Sequence, residues 1–359
     1  MRIPSGSTIK WRVDLIRKHV KIGEAHVIGG SVNFDAGSEV MHSMDISVPV
    51  DGLIVNDIPS KITEKKWEFR KDEFSMFADR MRPVVSINGA DYDFGDFIVI
   101  SAPIKSGTGK RTYEIEAYDE TMILKEAKTA SRIYYAAGTR YISIIDGLLM
   151  ECGFTNIVQD GSEAAISCER EWGVGETYIS IINTLLEEIG YAPVHTGSMG
   201  KIYVKKHRSG STADHTYTDK NSTLIGSITS DTDIYSLPNV IVGYVSSPDI
   251  ENSMLYKREN HNRESKISLE NRGYPVVNTF ALNDCPDMST LETVVDQKFL
   301  DATQATETAT VETLPDGSHD YETYISLEAE GITALYKEIG WKVEMDGDMT
   351  HEIERKALV

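Results

Sequence analysis

The sequence predicts a mainly β protein with a small α+β module at its centre. Short β-rich runs punctuated by turn signals fill the first ~130 residues and resume beyond residue 209. Between them lie two nearly identical amphipathic segments that repeat at a fixed offset. The chain is 40% hydrophobic and 26% charged, enough apolar material to bury cores and to exclude wholesale disorder. At 359 residues it has the length of about two domains.

The first segment, 1–130, reads as a β domain. Trp11 to Ile16 and Val27 to Phe34 are short β-rich runs, and Met44 to Val50 alternates apolar and polar side chains with period two. Val84 to Ile87 runs into Asn88-Gly89, a hairpin signal, because both central residues of a type I′ turn need positive φ. Phe97 to Ile100 and Thr112 to Tyr118 complete a meander. An insertion over about 57–82, rich in Lys, Glu, Phe and Met, is expected to be a loop or a short amphipathic helix.

The second segment, 131–208, carries the repeat. Tyr141 to Ile145 recurs letter for letter as Tyr178 to Ile182, 37 residues later, and nine of thirteen aligned positions match. In each copy apolar residues fall at i, i+3, i+4 and i+7, which is one face of a helix. These are Tyr141, Ile144, Ile145 and Leu148, then Tyr178, Ile181, Ile182 and Leu185. Gly153 and Gly190 stand where left-handed C-terminal caps belong. Tyr191 to Val194 and Lys201 to Lys205 are expected to form a hairpin beside the helices.

The third segment, 209–359, follows a turn-rich boundary at 207–222 and reads as a second β domain. Strands are expected at 239–245, 310–313, 323–327, 342–345 and 351–356, with Asp346-Gly347 as a turn. One helix is expected near 289–302, capped by Ser289 with Glu292 reaching back, and burying Leu291, Val294, Val295 and Leu300.

Charge is uneven. The net charge is −20, and 27 acidic against 11 basic side chains fall in 209–359, so that segment alone carries −16. Gripping nucleic acid through its phosphates needs clustered Lys and Arg, which this balance argues against. No run approaches the ~18 apolar residues of a membrane span, so no membrane insertion is expected. The first residues lack a signal-peptide apolar stretch, and Cys152, Cys168 and Cys285 are too scattered for a disulfide framework, so folding in a cytoplasm is expected.

Catalytic patterns are poor. There is no G-x-S-x-G and no H-E-x-x-H. Ser106 to Arg111 lacks phosphate-loop spacing, and Asp91 to Asp96 lacks the bidentate Glu of a calcium loop, so both read as turns. The nine histidines are dispersed, and His207 and His215 sit in a polar linker where solvated side chains are expected. Glu187-Glu188 is placed on the outer helix face. No enzyme, cofactor or metal is expected.

The order of elements resembles a known family. It is carried by Met81 to Gly89, Phe94 to Val99, Tyr113 to Asp119, then Ala136-Ala137-Gly138-Thr139-Arg140 with its helix, and Asp346 to Arg355 at the end. This series is similar to the hub proteins of tailed-phage baseplates and tail tips, including the hubs of contractile tails and of phage-tail-like bacteriocins. The resemblance implies two tail-tube-like β-barrel domains flanking the small α+β module. It further implies a homotrimeric ring that adapts a sixfold tail tube to a threefold tip and leaves an axial channel for DNA, which passes without specific binding.

The partners it implies are a distal tail or tail-tube protein, the C-terminus of the tape measure protein, and a tip spike or fibre protein. The location would be the virion tail tip, assembled in the host cytoplasm. With a channel implied, the acidic residues near turns and strand ends of 209–359 are the candidates to line it: Asp231, Asp233, Asp316, Asp320, Glu322, Asp346 and Asp348. Many relatives carry further fibre or peptidoglycan-hydrolase domains, and the end at Val359 implies that such activities belong to another protein. An alternative reading is a carbohydrate- or receptor-binding tail protein. Exposed aromatic clusters would mark it, whereas Trp11, Trp67, Trp172 and Trp341 are spread along the chain.

Overall fold

One strand organises the molecule. Ile332–Glu344 pairs with Tyr324–Ala329 along its first half and with Met349–Ala357 along its second. The remaining edge of its second half pairs with Gly29–Asp35, near the other end of the chain. This computed structural model describes residues 8–357, except 65–70, 108–109, 209, 211, 219–223, 231–234, 236, 246–253, 303–304, 330–331 and 346. Side chains at 224–230, 305–306, 329, 332 and 356–357 are likewise outside the description.

The first barrel combines local hairpins with pairings between strands about 70 residues apart. Ile9–Arg17 pairs with Asp79–Ile87 over its whole length and turns into Val20–Ala25 through Lys18 and His19, both at positive φ. Asn88 and Gly89 adopt the expected pair of positive φ values, 52° and 88°. Lys110–Asp119 lies between Phe97–Ser101 and His42–Pro49. The expected insertion is shorter than its composition suggests. The strand at its end already begins at Asp79, and no helix occurs among its described residues, only the short strands Ile58–Pro59, Ile62–Thr63 and Phe74–Ser75.

The two barrel regions are continuous. Seventeen strands hydrogen-bond into one closed sheet, and the link between its N- and C-terminal parts is the seam between Gly29–Asp35 and Ile332–Glu344. Gly340 lets the seam close, because a Cβ there would sit 3.1 Å from the Phe34 carbonyl oxygen. Gly30 (φ 148°) lets the next pairing close, because its Cβ would sit 2.3 Å from the Asp45 carbonyl oxygen on His42–Pro49.

A β-bulge lets the long strand serve two cores. Glu338 faces Ile353 and Gly340 faces Glu352, so Ile339 is the extra residue. Its carbonyl accepts instead from Ala36 N–H at 2.9 Å. The bulge shifts the inward parity: Ala334, Tyr336 and Glu338 point inward before it, Trp341, Val343 and Met345 after it. Ala334 and Tyr336 join a core with Val311, Ile325, Leu327 and Ile353. Trp341, Val343, Met345 and Met349 instead join Leu15, Phe34, Met44, Val85 and Phe97 in the core of the N-terminal barrel.

Residues 209–359 therefore do not form one self-contained β unit. Their last strands complete the N-terminal core, and Val240 to Ala302 folds as a separate lobe. There Val240–Val245 pairs antiparallel with Leu255–Glu259 and parallel with Val277–Leu282. The helix Met288–Ala302 covers one face of this sheet through Leu291, Val294 and Val295, packed on Ile241, Val245, Leu282 and Cys285. Its cap differs from the expected one. Asp287 Oδ1, not Ser289, accepts from the N–H of Thr290 at 2.7 Å, a bond any short acidic N-cap can make. Leu300 is half-exposed because the inward stripe continues through Phe299 and Ala302, while Leu300, nine residues from Leu291, falls on the opposite side of the helix.

The central module follows its repeat. Tyr141–Glu151 and Tyr178–Glu188 are both helices, and their shared apolar positions form one core with Trp172, Ile202 and Val204. Gly153 and Gly190 close the two helices at φ 89° and 69°. Thr177 caps the second. The hairpin is displaced from its expected place: His195–Gly197 pairs with Lys201–Val204, and Tyr191 only bridges to Lys206. Among the described residues no helix is long and apolar enough to cross a membrane.

Candidate functional site

Three acidic candidates lie on one loop. Leu314 to Thr323 joins Ala305–Thr313 to Tyr324–Ala329 and carries Asp316, Asp320 and Glu322. Asp316 keeps about a third of its side chain exposed, at 35%, and accepts from Ser318 N–H at 2.9 Å and Ser318 Oγ at 2.6 Å. Burial raises its carboxyl, but those bonds and two nearby histidines hold it below the ordinary range. Asp320 is half-buried and accepts from Tyr321 N–H.

Glu322 is different. It is buried, at φ 59°, and its carboxylate meets His207 Nδ1 at 2.7 Å, the Arg208 N–H at 2.7 Å and Lys337 Nζ at 3.2 Å. Burial raises its carboxyl, yet these three partners pull it down to about 2. Its charge is spent inside the fold. Asp348 is half-buried near the end of the long hairpin. Asp231, Asp233 and Asp346 lie outside the described residues. The loop thus brings Asp316, Asp320 and Glu322 together, and Asp348 stands on the hairpin that closes the N-terminal core.

The histidines correct the expectation of a solvated linker. His207 pairs with Glu322, and His215 stacks on His319 with ring centroids 4.1 Å apart and planes 11° from parallel. Behind them lies a fully buried cluster. Glu338 accepts from His319 Nδ1 at 2.9 Å and from His351 Nδ1 at 2.6 Å, because a carboxylate can only accept. His319 Nε2 faces the Tyr217 hydroxyl at 2.9 Å, and His351 Nε2 faces the Thr313 hydroxyl at 2.8 Å.

Burial raises the Glu338 carboxyl, but the two imidazoles pull it further down. Burial lowers His319, and the facing carboxylate more than reverses this, whereas His351 stays on the lowered side. Glu338 thus faces two imidazoles, with His319 favoured toward its charged form and His351 toward its neutral one. Burying such charges costs several kcal/mol each unless good hydrogen bonds offset it, and here each Glu338 oxygen accepts from one imidazole N–H. Both Glu338 and His351 occupy inward positions on their strands, at the junction of the two barrel cores.

A second acid also departs from its expected place. Glu187 is on the outer face and accepts from Lys298 at 2.7 Å, but Glu188 is buried and accepts from Arg170 Nη1 with both oxygens, at 2.8 and 3.0 Å. Burial pushes its carboxyl up to about 7, more than Arg170 pulls it down.

Solved structures share this architecture from end to end. The tail protein from Neisseria meningitidis MC58 matches with a TM-score of 0.65 at 14% identity, over 97% of this chain and 98% of that one. The 43 kDa tail protein of prophage MuSo2 from Shewanella oneidensis matches at 0.62 and 9% identity, over 96% and 97%. A type VI secretion system component from E. coli, described as structurally similar to the T4 bacteriophage tail proteins gp27 and gp5, matches at 0.53 and 10%, over 94% and 76%. At such identities the likeness is one of fold, and the chain has the fold of phage tail proteins. No protein-family model matches the sequence, and no curated protein sequence does.

Proposed function

We propose that this chain is the structural hub of a phage or phage-like tail tip. Three copies form a ring that adapts a sixfold tail tube to a threefold tip and leaves an axial channel through which DNA passes. The observation that carries the reading is the seam of Gly29–Asp35 on Ile332–Glu344. It fixes two barrel regions of one chain into a single closed sheet, so three chains present six barrel units at fixed spacing. The end-to-end likeness to tail proteins supports this.

The ring would sit in the virion between a distal tail or tail-tube protein above and a spike or fibre protein below, touching the end of the tape measure. It needs no cofactor, and no catalytic step is assigned to it. The lobe's sheet has an outer face with exposed Tyr244 and Leu255, a cross-strand pair opposite the helix-covered side, which suits a subunit contact. The acidic excess of 209–359 would face the channel in part, where Asp316, Asp320 and Asp348 retain some exposure. Repulsion over the ~8 Å screening length at physiological salt keeps a duplex from sticking to the wall.

Native mass spectrometry of the purified chain tests the assembly. Three copies of 40.0 kDa give about 120 kDa. A species of two or six copies, across the concentration range where the chain associates, would remove the reading.

A further inference from the structure

We propose that the loop Leu314 to Thr323 is an acid-released latch, held shut by histidines that reach it from several other parts of the fold. This goes beyond the hub reading and does not depend on it.

The loop is a keystone. It joins Ala305–Thr313 to Tyr324–Ala329 in the C-terminal barrel region, yet it also touches the N-terminal barrel and the central module. A Cβ at Gly317 would sit 2.9 Å from Tyr92 Cβ and 3.0 Å from the Asp93 carbonyl oxygen, so the loop runs hard against the strand Ala90–Asp93 of the N-terminal barrel. The Tyr321 ring lies 4.9 Å, centroid to centroid, from that of His195, which belongs to the strand His195–Gly197 of the module.

Five of the nine histidines of the chain meet here. His319 stands on the loop itself, and His215 and His351 flank its ring at centroid distances of 4.1 and 4.6 Å. His207 meets the Glu322 carboxylate at 2.7 Å, and His195 packs on Tyr321. Three imidazoles in a row cannot all carry a charge beside one fully buried carboxylate, Glu338, without repelling one another.

The surroundings of each ring fix the direction of the response. Burial holds His195 toward its neutral form, with His42 and Lys205 adding to this and Asp320 opposing it, while its Nδ1 donates to the Pro193 carbonyl at 2.8 Å. His215 is lowered by burial and by His319, against the pull of Asp316, Glu338 and Asp214. His351 is lowered by burial and by His319, against Glu338 and Asp316. The Tyr217 hydroxyl, whose ring packs on those of His215, His319 and His351, is raised by burial and stays protonated.

Each of these three histidines therefore binds a proton more readily once the loop is open. Its contribution to closure is complete above the ordinary imidazole value of about 6.5 and is lost as pH falls below it. His319 is shifted the other way by Glu338, and what it adds is already complete at about pH 6.5. The carboxylates do not blur this window. Asp316 and Glu338 are held below their ordinary range and Glu322 at about 2, so all three stay ionised while the histidines charge. Release thus falls between about pH 6.5 and 4.5, and it parts Tyr321 from His195 and so the barrel region from the module at this point.

The test is backbone hydrogen exchange of the full chain, read by mass spectrometry at about pH 7.5 and about pH 5 and corrected for the chemical exchange rate. Residues 314–323 should open at least tenfold more often at the lower pH, and the helix Tyr178–Glu188 should not. His195→Phe combined with His215→Phe keeps two aromatic rings that cannot charge, and should cut the increase to about threefold or less. His261→Ala, at an exposed histidine paired with Glu259 and Glu270, should leave it unchanged. The proposal is overturned if the loop opens equally at both pH values, if loop and helix open together by the same factor, or if the double variant keeps the full increase. Should the double variant misfold, the wild-type comparison of loop with helix decides.

Discussion

Trp341 and Phe34 face each other across the seam as a cross-strand pair, with ring centroids 5.8 Å apart, although 307 positions separate them in the chain. The indole also lies 5.4 Å from Phe94 and 5.8 Å from His42, both in the N-terminal barrel. A residue close to the end of the chain is thus a core residue of the domain at its beginning.

Trp341→Ala should therefore destabilise the N-terminal barrel, not only the C-terminal strands, by about 3–5 kcal/mol. Its buried Nε1 has no hydrogen-bond partner among the described residues, so Trp341→Phe loses area but no bond and should cost clearly less. Denaturant unfolding of the two variants checks this. Equal losses would show that the indole N–H matters.

The paired helices predict a second core. Ile144, Ile145, Ile181 and Ile182 are each at most 1% exposed in one cluster. Ile181→Ala should cost about 2–5 kcal/mol and reduce soluble yield. Unchanged melting combined with lost particle assembly would instead make that face an interface.

Glu188 makes stability depend on pH. Its folded carboxyl is raised to about 7 from an ordinary 4.5. The folded chain therefore holds a proton that the unfolded chain releases, and this stabilisation is complete below about pH 4.5 and lost as pH rises to about 7. At ~1.36 kcal/mol per unit the loss is about 3 kcal/mol. Glu188→Gln should melt like the wild type at pH 4.5 and higher than it at pH 8, as read by parallel thermal melts. A variant that is less stable at pH 8 would show the Arg170 ion pair to dominate.

These residues also show what a sequence discloses. The repeat was legible because a helix spaces its apolar face by a fixed period, and Asn88-Gly89 because few residues tolerate positive φ. The turn at Lys18-His19 was not, since neither residue advertises that backbone and tertiary pairing imposes it. Trp341 was hidden by the bulge at Ile339, which changes the strand's parity with no mark in the sequence. Glu188 was misplaced because helical periodicity does not see Arg170 arriving from the strand Arg170–Trp172. The cluster of His215, His319, Glu338 and His351 spans 136 positions and has no spacing signal. Only inward alternation hinted at it: Glu338 and His351 each sit where an apolar residue would continue the pattern.

The proposed acidic lining of a channel predicts a change in DNA release. Asp320→Lys combined with Asp348→Lys should assemble normally but slow ejection, measured as dye-reported DNA release from particles carrying the variant. Normal assembly with unchanged release would place these carboxylates away from the path.

The most direct measurement of the central claim is a reconstruction of the assembled tip, averaged without imposed symmetry. The account predicts three copies of this chain around the axis, with the two barrel regions of each chain alternating in one six-unit ring beneath the tube. Six or twelve copies, or a ring built from only one barrel region of each chain, would contradict it.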